Sequence, residues 1–318
     1  MTTRREWLIA LGVLAVPLPG KAQQAKLPRL GVLAVSNLEP GLGFFIEGLR
    51  NHGYIVGQSI LIEIRSAEQK PASLAAMAAD LVRMKVDIIV AFQTPAVQAA
   101  KTATSSIPIV MATAGDPVGT GLIASLARPG GNITGNSTAT AELGGKTLEI
   151  IREIRPAAVR VAVLANVADP FTKTLLEKIQ TAGRELGIEI RPALVRGPAD
   201  YDAVFADWAR SRVDAVIVQP SLPRKPAIDL TLKHRLLSVS PSVPFAEEGG
   251  VIGYSGNIRS QYLNAATYVD KILKGAKPAE LPVEQPTKLD LVVNLKTARA
   301  IGLTIPETIL FRADRVIE

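Results

Sequence analysis

The sequence predicts an α/β protein of two similar Rossmann-like lobes, each built on a parallel sheet, joined by a hinge. Three observations carry that prediction. First, one pattern is written twice. Arg29-Leu-Gly-Val-Leu-Ala-Val-Ser-Asn37 is echoed by Arg160-Val-Ala-Val-Leu-Ala-Asn166, and Lys85-Val-Asp-Ile-Ile-Val-Ala-Phe-Gln-Thr-Pro95 by Arg212-Val-Asp-Ala-Val-Ile-Val-Gln-Pro220. Second, apolar strand-like runs alternate with helical patterns, which implies parallel sheets with right-handed crossovers. Third, 318 residues with 47% hydrophobic composition suffice for about two domains with filled cores. Aromatic residues are only 4%, so those cores are aliphatic.

In chain order, the first copy reads as a strand over 30–35, a polar loop over 36–40 and a helix over 43–51 closed by His52-Gly53. A strand over 60–65 and a helix over 72–84 follow. The near-continuous apolar run over 86–92 fits a strand covered on both faces. Pro95 opens the next helix, over 95–104, because a first-turn residue leaves its N–H unpaired anyway. A strand over 107–113 completes the set. The Gly/Pro-rich stretch Arg128-Pro-Gly-Gly-Asn-Ile-Thr-Gly135 is expected to carry the chain across to the second lobe.

The second copy has strands over 159–165, 188–195 and 213–218 and helices over 171–186 and 201–211. A helix over 227–237 and a strand ending near Phe245 follow. Gly249-Gly-Val-Ile-Gly-Tyr254 is expected to be the return crossing. The helix over 261–274 carries Leu263, Ala266, Val269, Ile272 and Leu273 on one stripe and is expected to pack on the first lobe. The tail holds Leu291-Val-Val-Asn294 and a short helix over 296–301. These readings divide the chain into an export signal, 1–22, a first lobe of 23–136 plus 255–283, and a second of 137–254 plus 284–318.

The N-terminus has the plan of a cleavable export signal. Arg4 and Arg5 begin it, Leu8 to Leu18 form an apolar core, and Gly20-Lys21-Ala22 is a small-x-small cleavage site. Pro17 and Pro19 break the apolar run, which falls short of the ~20 residues a membrane span needs. The paired arginines suit a twin-arginine route, and the general secretory route remains open. The net charge of +7 is spread without blocks or interleaved aromatics, so nucleic acid is not an expected partner. Cysteine is absent, which excludes disulfides, thiolate metal sites, a cysteine nucleophile and a lipid-modified N-terminal cysteine. The two histidines, His52 and His234, stand near predicted helix ends. No metal and no cofactor are expected.

No G-x-G-x-x-G, P-loop or G-x-S-x-G motif occurs, so nucleotide binding and the hydrolase elbow lack their usual residues. The strand ends offer hydrogen-bonding groups instead, and open α/β sheets bind ligands at the carboxyl ends of their strands. The candidate ligand-binding residues are Ser36, Asn37, Gln93, Thr94, Thr113 and Asp116 in the first lobe. In the second they are Asn166, Asp169, Gln219, Phe245 and Tyr254, with Ser221 and Phe171 nearby. Thr94 and Ala96, at a helix start, are placed to meet a ligand carboxylate. Asp116 is placed to meet an ammonium, or to act as a turn residue before Pro117.

Several strings resemble one bacterial family. They are Gly115-Asp-Pro-Val-Gly-Thr-Gly-Leu122, Ser125-Leu-Ala-Arg-Pro-Gly-Gly-Asn-Ile-Thr-Gly135, Glu142-Leu-Gly-Gly-Lys146, and Gly249-Gly250 with Tyr254. They continue with Ile272-Leu-Lys-Gly-Ala-Lys-Pro-Ala-Glu-Leu-Pro282, Gln285-Pro-Thr-Lys288 and Val293-Asn-Leu-Lys-Thr-Ala-Arg-Ala-Ile-Gly-Leu-Thr-Ile-Pro306. Together they resemble the ABC-transporter substrate-binding proteins that include tryptophan- and tyrosine-binding members. The resemblance spans essentially the whole chain. It implies a type I periplasmic-binding-protein fold that closes on a small ligand, with aromatic or apolar amino acids the best-supported class. It further implies delivery to an ABC permease from the periplasm, by a monomer. Two other readings remain open: a ligand sensor that docks on a receptor, and a cleft enzyme using Asp116 with Asp169 or Glu247.

Overall fold

A computed structural model describes residues 27–35, 38, 41–67, 73–138, 140 and 143–318. The export signal, Ser36 and Asn37 lie outside the described residues. In the first lobe, β1 (Arg29–Ala34) leads to α1 (Gly41–Asn51), β2 (Leu61–Ser66) to α2 (Leu74–Arg83), and β3 (Ile88–Phe92) to α3 (Thr94–Ala103). Strands β4 (Ile109–Ala114) and β5 (Ile133–Ser137) follow. The sheet order is β2-β1-β3-β4-β5, parallel throughout. All five residues of β3 are buried, as the apolar run requires of a central strand.

The second lobe begins with α4 (Leu143–Ile154), which the strand and helix patterns do not announce. Then come β6 (Arg160–Asn166), α5 (Thr172–Leu186), β7 (Glu189–Val195), α6 (Tyr201–Ser211), β8 (Ala215–Val218), α7 (Arg224–Lys233) and β9 (Leu237–Ser240). After them stand α8 (Val243–Glu247) and β10 (Ile252–Gly256). Helix α9 (Ile258–Leu273) returns to the first lobe, packing on α1, β4 and β5. The chain closes with β11 (Leu289–Asn294), α10 (Leu295–Ala300), α11 (Glu307–Arg312) and β12 (Arg315–Ile317).

The second sheet runs β12-β11-β10-β9-β8-β6-β7. Its β7-β6-β8-β9-β10 portion has the same order as the first sheet, so the repeat in the sequence is a repeat in topology. The sheets are parallel with one exception: β11 pairs antiparallel with β10, and β12 then runs parallel to β11. The chain arrives at β11 from α9 in the other lobe and therefore enters the sheet from the opposite direction.

Three local expectations change. The Gly/Pro-rich stretch does not leave the first sheet, because Ile133–Ser137 adds β5 to it. Gly135 has φ 125°, and a Cβ there would collide with the Met111 backbone, so this glycine serves strand packing. The strand expected to end near Phe245 stops at Ser240. Pro241 and Pro244 turn the chain, and Phe245 falls in α8. Gly249–Tyr254 likewise leads into β10 within the second sheet, and the return follows at Asn257.

Each sheet is covered on both faces. In the first lobe α2 and α3 bury one aliphatic layer, with Leu81, Val97, Ile89 and Met111, while α1 and α9 bury another, with Phe45, Leu49, Val90 and Val269. In the second, α4 and α5 cover Val163, Ile217 and Val293, and α6 and α7 cover Leu164, Val216 and Val218. Trp208 lies in that last layer, its ring 5.0 Å from Phe205. Each fully buried aliphatic side chain contributes about 1.5–3 kcal/mol relative to exposure.

The chain passes between the sheets after β5, after β10 and before β11. Neighbouring crossings are tied together. Ser137 N–H donates to the Glu284 carbonyl at 2.8 Å, and Glu284 N–H to Gly135 at 3.0 Å. Asn136 is buried between them. Its Nδ2 donates to the Ala112 and Gln261 carbonyls, and its Oδ1 accepts from Asn264.

Candidate ligand-binding cleft

The carboxyl ends of β3 and β4 face those of β6, β8 and β9 across a cleft of about 110 Å³. Gln93, Thr94 and Thr113 line it from the first lobe, joined by Gly115, Thr138, Thr140, Gln261 and Tyr262. Asp169, Phe171, Gln219, Ser221 and Arg224 line it from the second, with Pro220, Pro241, Ser242, Pro244 and Ser255. Both strand-end sets therefore meet in one space.

On the first-lobe side, α3 starts directly at the end of β3. The Gln93 N–H is shared between the Thr113 carbonyl at 3.0 Å and the Thr113 Oγ1 at 3.2 Å. Thr94 Oγ1 accepts from Gly115 N–H at 2.9 Å, and its hydroxyl proton remains to be donated. The Ala96 N–H donates to the Gln93 carbonyl at 3.1 Å, so Thr94 rather than Ala96 offers a donor at this helix start.

The second-lobe side is a buried polar network. Asp169 accepts from the Phe171 N–H and from Gln219 Nε2, both at 2.9 Å. Gln219 Oε1 in turn accepts from Asn166 N–H at 2.8 Å and Thr172 Oγ1 at 2.9 Å. Burial pushes the Asp169 carboxyl up from its ordinary value, against the opposing pull of hydrogen bonds from Ser221, Phe171 and Gln219. Arg224 reaches Glu248 with Nε at 3.0 Å and also with Nη2. Desolvation raises the neighbouring Tyr262 hydroxyl to about 12, while the Arg224 charge pulls it down. Phe171 and Tyr262 supply the apolar walls, and Tyr262 is backed by Phe92 at 5.2 Å.

Seven residues singled out in the sequence meet here: Gln93, Thr94, Thr113, Asp169 and Gln219, with Ser221 and Phe171. Four stand outside the lining. Asp116 accepts from Gly119 N–H at 2.9 Å and caps its own turn. Asn166 is buried behind the cleft, its Nδ2 aimed at Ser221. Phe245 is fully buried in the core beneath α7, and Tyr254 packs against the core on the other face. Of Asp116, Asp169 and Glu247, only Asp169 lines the cleft, and Glu247 pairs with Arg315 elsewhere. Arg224, Gln261 and Tyr262 were not singled out because they sit on helices, where no strand-end signal marks them.

Among the described residues, no helix is long and apolar enough to cross a membrane, and no cluster of three or more metal-ligating side chains occurs. Residues 37–317 match the family model described as ABC transporter substrate binding protein. A tyrosine-binding protein of Clostridioides difficile is 24% identical over 263 residues, 81% of this chain and 75% of that protein. Two solved structures superpose closely. A domain from Streptococcus pneumonia in complex with L-Trp has a TM-score of 0.82 at 26% identity, covering 92% of this chain and 100% of that one. A conserved domain protein from Vibrio cholerae has a TM-score of 0.84 at 25% identity, with the same coverage. The lobes have the fold of type I periplasmic binding proteins. The chain belongs to the ABC transporter substrate binding protein family.

Proposed function

We propose that this protein is the exported, monomeric solute-binding component of an ABC importer, and that its ligand is an amino acid with an aromatic or apolar side chain. The observation that carries the ligand class is the chemistry of the cleft. A buried carboxylate, Asp169, stands in the same small space as a guanidinium, a free threonine proton and two aromatic rings. A zwitterion with an apolar side chain satisfies all of them: its ammonium meets Asp169, its carboxylate meets Thr94 and Arg224, and its side chain lies between Phe171 and Tyr262. The L-Trp complex of the pneumococcal relative and the tyrosine-binding clostridial relative support the aromatic end of that class.

The cleft has a volume of about 110 Å³ and is open to solvent on one side. That is less than the roughly 150 Å³ of an apolar cavity that admits benzene. An aromatic ligand is expected to be held by lobes that separate and reclose around it, a hinge-linked equilibrium that binding shifts. The signal-like plan of residues 1–22 supports export to the periplasm.

A thermal-shift screen against amino acids, sugars, nucleosides and carboxylates tests the ligand class. A ligand at one hundred times its Kd adds about 2.7 kcal/mol to stability. A melt that shifts only with sugars or nucleosides refutes the amino-acid reading. Fractionation of cells with and without residues 1–22 tests export, and uptake in a strain lacking this chain tests import.

A further inference from the structure

Gln93 is unusual in both backbone and side chain. Its φ of 73° and ψ of 152° fall in a region that is essentially reserved for glycine. Such a conformation persists only where the surroundings enforce it. Here Thr113 holds the Gln93 N–H, and the first turn of α3 holds its carbonyl. The side chain crosses the cleft, with Nε2 donating to the Pro220 carbonyl of the other lobe at 3.3 Å. Its Oε1 is buried and has no partner.

The Pro220 contact fixes which way the amide faces. A carbonyl only accepts, so the NH₂ must point at it and Oε1 must point away. An unpaired buried acceptor is uncommon and costly, and here it belongs to a cleft-lining residue. Pro220 is preceded by Gln219, whose own amide donates to Asp169. Gln93 from one lobe and Asp169 from the other thus approach the same two-residue segment. Gln93 and Asp169 line the same cleft from opposite lobes, and an acceptor from each suits a group with several N–H donors.

We propose that Gln93 is the first-lobe residue that reads the ligand's ammonium and, through the same amide, ties occupancy to lobe closure. This rests on the amino-acid reading above. An N–H bonded to Oε1 holds the amide plane with its NH₂ on Pro220, so the bound ligand stabilises the interlobe bond, and the interlobe bond orients the acceptor. The strained backbone keeps the amide aimed before the ligand arrives.

The test measures binding of L-tryptophan, L-tyrosine and their desamino analogues, the 3-arylpropionates, to wild type, Gln93→Met and Gln93→Gly. Methionine keeps the length and loses the amide. Glycine also relieves the backbone, so it reports even where methionine impairs folding. Both variants are expected to weaken the amino acids by about tenfold or more, mainly through faster dissociation, and the desamino acids by much less. Gln93→Gly is expected to melt no lower than wild type. Wild-type affinity for the amino acids in both variants overturns this inference and leaves the amino-acid reading standing. Equal losses for amino and desamino ligands also overturn it, because Gln93 then only shapes the cleft. Wild-type protein that binds none of the four overturns the amino-acid reading and this inference with it.

Discussion

The ring of Phe171, from the second lobe, lies against the backbone of Gly115 in the first, so close that a Cβ at position 115 would sit 2.7 Å from the ring. The lobes can approach this far only because residue 115 has no side chain. Gly115→Ala is therefore expected to wedge the cleft. Ligand affinity should fall by about tenfold, while stability should change by no more than about 1 kcal/mol, because each lobe keeps its own core. Calorimetric titration with L-tryptophan and small-angle scattering check this: the variant should remain more extended at saturating ligand.

Asp169 is expected to make ligand binding depend on pH. Its folded-state carboxyl titrates above the ordinary value. The folded protein therefore holds more protons than the unfolded chain across that window, and the contribution of Asp169 to stability declines as pH rises through it. A ligand ammonium needs the ionised form. Amino-acid affinity should accordingly fall as pH is lowered through the same window. Asp169→Asn should weaken amino acids by about tenfold or more and flatten the profile. Titrations from neutral pH down to about pH 4 decide it.

Asn136 anchors the crossings. Its side chain donates to two buried carbonyls on different elements and accepts from Asn264. Asn136→Ala removes those three hydrogen bonds and should cost about 1–3 kcal/mol in urea unfolding. Ligand affinity should fall as well if the crossings set the closed geometry, and an affinity equal to wild type would separate the two roles.

Gly135 should be intolerant of any side chain. Its φ of 125° and the Met111 backbone beside it leave no room for a Cβ. Gly135→Ala is expected to destabilise by about 3 kcal/mol, seen as a lower melting temperature with or without ligand. Gly131, in the same string, has open space where its Cβ would go, so Gly131→Ala should be close to neutral and serves as the control.

Much of the fold was legible because its signals are local. The apolar runs at Ile88–Phe92 and Ala215–Val218 name central strands, and the stripe on α9 names a helix with one buried face. Helix α4 escaped because its Gly144-Gly145 start reads as loop, yet Gly144 packs against Ile179 of α5. The crossings were misplaced by a few residues because glycine marks both a bend and a close approach. At Gly135 the close approach prevailed.

The sequence by itself determined the repeated α/β plan, the strand ends that face the cleft, and the family to which the chain belongs. Those follow from periodicity, composition and strings of neighbouring residues, which a linear chain displays directly. Tertiary structure alone decided that Asp169 faces the cleft while Asp116 caps a turn, and that Phe245 is core while Phe171 is wall. It also decided that Arg224 and Tyr262, on helices of different lobes, meet at the cleft. Each depends on where a side chain points after two lobes have packed and closed, and that direction is set by long-range contacts no local pattern encodes.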